Sequence, residues 1–488
     1  MAYLYDKLKK YSESDYYGFH MPGHKRNGEV TGADLPYKID ITEIDGFDDL
    51  HHAKRLLKEA QERAARVYHA DETHFLVNGS TVGILSSVLG CTRPGDTVLM
   101  ARNCHKSVYN AVYINDLRPV YIYPEATGEG PVRRIEELLD KHPQVKAVII
   151  TSPSYDGVVS DVGAIAGLAH SHGVPLILDE AHGAHFGFHP YFPQNGNDLG
   201  ADLVIHSLHK TLPSLTQTAL LHINGGLADR RSVRRYLHML QSSSPSYVLM
   251  ASIDECIRFL ENQGNDMLDR YVKLLDGARK KLKLMKHLRL FEPEIYDRSK
   301  ILIDTSHAGI AHNKEMIKYT GKQLSDELKG EYHLQMEMAA PDYVIAMTGP
   351  GDSEEGMERL VSALFQIDGK LAKYRKCESD HALTYVSENV IHEEKGREEG
   401  CVSWENEQVY SIREIDKFTN KTKHIPYAES EGAVALEYAY VYPPGIPLVV
   451  PGERISERTA IRMRDYEEQG FEIEGTQIRG KIEVMENG

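Results

Sequence analysis

Cysteine is scarce in this chain. Its 488 residues carry five cysteines, Cys91, Cys104, Cys256, Cys377 and Cys401, and no two form a Cys-x-x-Cys pair. A zinc ribbon and a disulfide-stapled scaffold are thereby excluded. Reduced thiols in the cytoplasm are the expectation. Long apolar runs are missing as well: none approaches the ~20 residues that a membrane helix needs. The first ten residues, MAYLYDKLKK, lack the apolar stretch of a secretory signal. Basic charge is in deficit, with 56 Lys and Arg against 72 Asp and Glu, a net charge of −16. A nucleic-acid partner, which demands a basic face, is not expected, and an anionic membrane surface gains nothing from this balance. What is present is ordinary for a soluble globular protein, with 41% hydrophobic and 26% charged residues. The length suits two to four domains.

From about residue 70 to 225, short apolar runs alternate with helical patterns. Strands are predicted over 73–77, 97–101, 120–123, 147–151, 174–179, 203–206 and 219–223. Helices are predicted after 78–81, over 135–141, and over 165–172 with Gly173 as C-cap. Such alternation implies crossover connections and a largely parallel sheet covered on both faces. Amphipathic helices follow near 232–240, 252–263 and 269–285. A smaller α/β region starts near 301, with a strand over 343–347, Asp352 as a cap and a helix over 354–365 that belongs to that region's core. The charged stretch 391–400 reads as a linker. After it come the single tryptophan, Trp404, read as a packing residue, and the turn Tyr442-Pro-Pro-Gly-Ile-Pro447. The expected division is an arm (1–50), a large cofactor domain (51–300), a small α/β region (301–390) and a C-terminal domain (391–488).

Ligands of open parallel sheets gather at the carboxyl ends of strands. Three segments sit there. Asn78-Gly79-Ser80-Thr81 opens a helix with free backbone N–H groups and two hydroxyls, which suits a phosphate, although a plain helix cap explains it equally well. Asp179 ends an apolar run and begins Asp179-Glu-Ala-His-Gly-Ala-His185. A carboxylate at that place is desolvated unless a cation joins it. Ser207-Leu-His-Lys-Thr211 follows the next strand. A lysine, a carboxylate and a phosphate cradle along one sheet edge have a common chemical reading in pyridoxal phosphate. The lysine takes the cofactor aldehyde, and the carboxylate keeps the pyridine nitrogen protonated. Of the three His-Lys dipeptides, only that of Lys210 lies downstream of Asp179, so Lys210 is the candidate. His105 offers a flat face for a cofactor ring or serves as a structural histidine. Cys104 beside it reads as a buried small residue rather than a nucleophile.

The chain resembles the Orn/Lys/Arg decarboxylases, fold type I pyridoxal-phosphate enzymes with an aspartate-aminotransferase-like fold. The segments that carry the resemblance run in family order over nearly the whole chain. They are Phe19-His-Met-Pro-Gly-His-Lys25, Asp40-Ile-Thr-Glu43, Val77-Asn-Gly-Ser-Thr81, Asn103-Cys-His-Lys-Ser107, Asp179-Glu-Ala-His-Gly-Ala-His185, Ser207-Leu-His-Lys-Thr211, Ser244-Pro-Ser-Tyr247 and Tyr442-Pro-Pro-Gly-Ile-Pro447. In length the chain looks like the short bacterial form, without a receiver-like domain ahead of it. The resemblance implies that Lys210 holds the cofactor, Asp179 meets the pyridine nitrogen, His182 lies near the ring hydroxyl and His105 stacks on the ring. It implies that Ser80, Thr81, Ser207 and His209 bind phosphate. It also implies a dimer or higher homo-oligomer with active sites between subunits, and that Pro22-Gly-His-Lys25 and the Pro-Pro-Gly turn line the entrance.

The implied reaction is α-decarboxylation of a basic amino acid, with Lys210 or His209 returning a proton to Cα. Arginine, giving agmatine for polyamine biosynthesis, fits the short form first; lysine is second and ornithine third. Glu437 and the cluster Asp45, Asp48 and Asp49 are candidates for the substrate's cationic end. Two other classes compete. Asp179, His182, His185 and His189 can also be read as ligands of a metallohydrolase, although no His-Glu-x-x-His is present. A non-catalytic cofactor-binding protein is the third class, disfavoured because Lys210 and Asp179 are both intact.

Overall fold

The computed structural model describes residues 3–17, 19–123, 130–293, 295–312, 315–373, 406–418, 421–442 and 445–486. The expected linker 391–400, Trp404, Cys377, Cys401 and the two central prolines of the Tyr442 turn lie outside the described residues. The large domain is built on seven strands, β1 (Glu72–Leu76), β2 (Thr97–Ala101), β3 (Arg118–Ile122), β4 (Val145–Thr151), β5 (Leu176–Asp179), β6 (Leu203–Ser207) and β7 (Ala219–Ile223), in the order β1-β7-β6-β5-β4-β2-β3. Pairing is parallel from β3 through β6, while β7 runs against both its neighbours. Every residue of β2, β5, β6 and β7 is buried. That explains why these strands read as continuous apolar runs rather than alternating ones.

Among the described residues, ten α-helices accompany this sheet: α1 (Leu4–Ser12), α2 (Leu56–Val67), α3 (Gly79–Cys91), α4 (Lys106–Ile114), α5 (Gly130–Lys141), α6 (Val162–Ser171), α7 (Leu208–Thr211), α8 (Arg230–Leu240), α9 (Tyr247–Asn262) and α10 (Gly264–Leu282). One core packs α3, α4, α6 and α8 on the sheet. A second packs α1, α2 and α9 around Phe75, Leu208 and Leu220. Between α3 and α8 the contact is so close that a Cβ on Gly90 would lie 2.8 Å from the Val233 Cα. Helix α6 ends as expected at Gly173 (φ +69°), where the Gly173 and Val174 N–H groups donate to the His170 and Ala169 carbonyls. The expected arm is partly core: Leu4 and Leu8 are fully buried, and the Leu4 N–H donates to Asp254 at 2.7 Å.

The following region is antiparallel. Strand Lys300–Asp304 pairs with Tyr343–Met347 and Arg289–Leu290, and helices α11 (Gly321–Tyr332) and α12 (Glu354–Asp368) cover it. The cap of α12 is Ser353, whose hydroxyl accepts from the Gly356 N–H. Asp352, expected in that role, instead accepts from the Gly349 N–H and closes the preceding turn. From residue 406 onward, short antiparallel strands and helix α13 (Glu457–Glu468) enclose a separate small core. Arg102, just past β2, joins this unit to the large domain. Its buried guanidinium donates to the Pro447 carbonyl at 2.8 Å and to Glu453 at 3.2 Å.

Candidate active site

The three sequence segments converge because their strands end in register. Leu76, Ala219 and Ser207 form one row across β1, β7 and β6, and Thr151, Asp179 and Ile205 form another across β4, β5 and β6. The backbone before β7 ties two of the segments together. Gln217 accepts from the Gly79 N–H at 3.0 Å, and Thr218 accepts from the Leu208 N–H and, at 2.9 Å, from His209 Nδ1. Gly79 takes φ +74° at the start of α3, a left-handed turn that favours glycine. Unlike α4, α6, α8 and α9, helix α3 has no side-chain cap, so its first turn keeps N–H groups for an anion. Ser80 is half-buried and Thr81 exposed on that turn.

Lys210 Nζ lies 2.9 Å from His182 Nε2. Burial lowers the affinity of Lys210 for its proton, opposed by the Asp179 carboxylate. Burial also holds His182 well below the ordinary histidine range, reinforced by Lys210 and Lys300. A neutral His182 accepts at Nε2 and carries its proton on Nδ1, and that buried Nδ1 has no hydrogen-bond partner. Asp179 is buried; desolvation pushes its carboxyl up, against Lys210, the Ala181 N–H at 3.2 Å and His206. His105 caps α4 by accepting from the Ser107 N–H at 3.2 Å, and burial together with Lys210 lowers it to about 4. It is therefore a neutral ring at physiological pH, both cap and flat face. The fully buried Ser207 hydroxyl, like His182 Nδ1, has no partner.

Orphaned polar atoms, an uncapped helix terminus, a buried carboxylate and a lysine with a weakened proton on one sheet edge fit pyridoxal phosphate. They do not fit a metal. His185 is engaged by Asp297 at 3.0 Å, His189 by Asp269 at 3.0 Å and His182 by Lys210, three separate pairings. No three potential ligands converge among the described residues, which removes the metallohydrolase reading there. Cys104 is a buried thiol pushed up to about 12 by desolvation, a packing residue.

Of the candidates for the substrate's cationic end, Glu437, Asp48 and Asp49 are overturned, while Asp45 is an exposed residue of the arm. Both Glu437 oxygens are occupied, by the Gln477 N–H at 2.9 Å and the Glu483 N–H at 2.8 Å, inside the C-terminal unit. Asp48 accepts from the Lys54, Arg55 and Leu57 N–H groups at the start of α2, and Asp49 is held by His51 and His52. Both are structural. Pro22-Gly-His-Lys25 stays within the arm, with His24 on Asp40 at 3.1 Å and Lys25 on the His20 carbonyl. The Tyr442 turn does reach the site: Lys106 Nζ sits 5.2 Å from the Tyr442 ring, and Gly445 adjoins His105.

Sequence reasoning missed Tyr155, Glu337, Lys300 and the buried chain Glu180–His206–His222–Thr73. The Tyr155 ring meets His182 edge-on at 4.8 Å, and its hydroxyl donates to Glu337. Lys300 is fully buried on Asp297 at 2.8 Å. His206 bridges Glu180 at 2.7 Å and His222 at 3.0 Å. Only the Ser152-Pro-Ser-Tyr155 loop after β4 carried a signal, since it too lies at a strand's carboxyl end.

Comparison with known proteins agrees over almost the full length. Residues 407–469 match the C-terminal domain of the Orn/Lys/Arg decarboxylases. The arginine decarboxylase of Halalkalibacterium halodurans is 31% identical over 477 residues, covering 94% of this chain and 91% of that protein. That of Bacillus subtilis is 30% identical over 495 residues, covering 97% and 95%. The crystal structure of the Francisella novicida lysine decarboxylase superposes with a TM-score of 0.80 at 20% identity, covering 99% of this chain and 81% of that one, and so shares the fold. Residues 2–319 match the family's major domain, and the chain belongs to the Orn/Lys/Arg decarboxylase family.

Proposed function

We propose that the protein decarboxylates L-arginine to agmatine and carbon dioxide. It is an amino-acid decarboxylase, and pyridoxal phosphate is its cofactor. The observation that carries the reading is the Lys210–His182 contact together with a buried Asp179 whose carboxylate favours the charged form of Lys210. The choice of arginine is supported by near-full-length similarity to arginine decarboxylases.

In this reading Lys210 would hold the cofactor, with Asp179 for its pyridine nitrogen, His182 for its ring hydroxyl and His105 for its ring face. Ser80, Thr81, Ser207, His209 and the first turn of α3 hold its phosphate. When bound, the cofactor supplies the electron sink for the pair left on Cα as carbon dioxide departs. Asp179, as the carboxylate, would supply the negative charge that keeps a proton on the nitrogen facing it. A proton from Lys210 Nζ or from His209 then takes the place of the lost carboxylate at Cα. His209 Nδ1 is committed to the Thr218 carbonyl, so Nε2 is the atom that binds phosphate or delivers the proton, and either task requires the imidazolium. Burial opposes that form, and a bound phosphate favours it.

The N-terminal arm exposes Tyr16, Tyr17, Phe19 and Met21, which supports a homo-oligomer that covers them; free cysteines Cys91, Cys104 and Cys256 support a reducing compartment such as the cytoplasm. No helix among the described residues is long and apolar enough to cross a membrane.

Purified protein offered arginine, lysine and ornithine separately tests the substrate; faster turnover of lysine sinks the arginine assignment. A visible absorbance band, bleached by borohydride and absent in Lys210→Ala, tests the cofactor lysine.

A further inference from the structure

We propose that Glu337, positioned by Tyr155, receives the cationic end of the substrate. This rests on the decarboxylase reading and deepens it. The argument is a chain of contacts leading outward from the reacting lysine. Lys210 Nζ touches His182 Nε2 at 2.9 Å. The Tyr155 ring stands against His182, with centroids 4.8 Å apart and planes at 65°. The Tyr155 hydroxyl then donates to Glu337 Oε1. No other hydrogen bond or ion pair with a described residue engages the Glu337 carboxylate, and the residue is exposed.

Two carboxylates, Asp179 and Glu337, favour the charged form of Lys210, and they differ in kind. Asp179 is sealed in the floor at the end of β5, whereas Glu337 is open to an incoming ligand. The other buried acids nearby are consumed: Asp297 by Lys300 and His185, and Glu180 by His206 and the Gly196 N–H. A basic amino acid is an aliphatic stem with a cation at its tip. Tyr155, standing edge-on to His182, offers the stem an aromatic wall. Beyond the rings, the carboxylate of Glu337 matches the tip. A guanidinium donates through a planar fork and can use the unoccupied oxygen while Tyr155 fixes the other.

The test is steady-state kinetics of the cofactor-loaded enzyme on arginine and on citrulline, its neutral ureido isostere. Glu337→Gln is expected to raise the arginine KM roughly ten- to hundredfold, as the loss of one charge-assisted contact predicts. It should leave kcat within a few-fold and the cofactor absorbance unchanged, and preference for arginine over citrulline should fall by the same factor as KM rises. Glu337→Asp should recover most of that preference, and Tyr155→Phe should lose part of it. An arginine KM within twofold of wild type in loaded Glu337→Gln overturns the proposal, as does an equal change for arginine and citrulline. A wild-type protein that decarboxylates no basic amino acid overturns the decarboxylase reading instead. If lysine proves the better substrate, lysine and norleucine replace the pair.

Discussion

Two buried charge clusters in this protein are built on opposite plans. At the junction with the C-terminal unit, Arg102 donates to the Tyr109 hydroxyl at 3.0 Å, to the Pro447 carbonyl at 2.8 Å and to both oxygens of Glu453. Glu453 receives the Asn406 amide at 3.0 Å and the Val450 N–H at 2.9 Å as well. Around Lys210 the accounting is left open, with His182 Nδ1 and the Ser207 hydroxyl unpartnered and Asp179 held up by desolvation. A saturated buried pair holds domains together. An unsaturated one keeps polar capacity for a ligand at some expense in stability.

That contrast can be broken by substitution. The largest effect is expected at the junction. Arg102→Leu leaves Glu453 buried without its cation and should cost about 3–5 kcal/mol, read as a lower denaturation midpoint, and Arg102→Leu/Glu453→Leu should recover most of it. At the site, Asp179→Asn should behave in reverse. Turnover should drop about 10²–10³-fold as the preorganised charge is lost, with a thermal midpoint equal to or above wild type. A drop in stability matching that of Arg102→Leu would show that Asp179 belongs to the structural class.

A smaller effect follows from His105. Its folded value is about 4 against an ordinary 6.5. Between those values the unfolded chain binds a proton that the folded one refuses, so stability is lost as pH falls through that window. His105→Gln should flatten the stability–pH slope there without abolishing it, because His182 and His222 are lowered too; urea midpoints across the window report the change. The smallest effect is expected from Glu437→Gln. Its two backbone contacts are partly kept by the amide, so about 1 kcal/mol is lost, and the arginine KM should not move. A changed KM would return Glu437 to the substrate site.

Much of the scaffold was legible in the sequence. Strands β2 and β7 and the strand Tyr343–Met347 fall where their apolar runs lie, because a run flanked by turn residues is a local signal. Helix ends were less legible. Helix α5 begins at Gly130, ahead of the expected 135, because Gly130-Pro131 reads as a turn although Val132 already continues the apolar stripe of Ile135 and Leu139. Asp352 and Ser353 both suit a cap by composition, and only the backbone path chooses Ser353.

The sequence by itself determined the order of elements, the sheet edge that carries Asp179 and Lys210, and the motifs that tie both to a cofactor. These are properties of neighbouring residues and of strand ends. Tertiary structure alone decided which acids are spent and which are open. Glu437 looked available and is saturated by N–H groups 40 and 46 residues away. Glu337 carried no signal and meets Tyr155 from 182 residues away. Glu453 finds Arg102 across 351. Whether a buried carboxylate is paired, capped or waiting depends on desolvation and on partners brought by packing, and neither is encoded in the residues beside it.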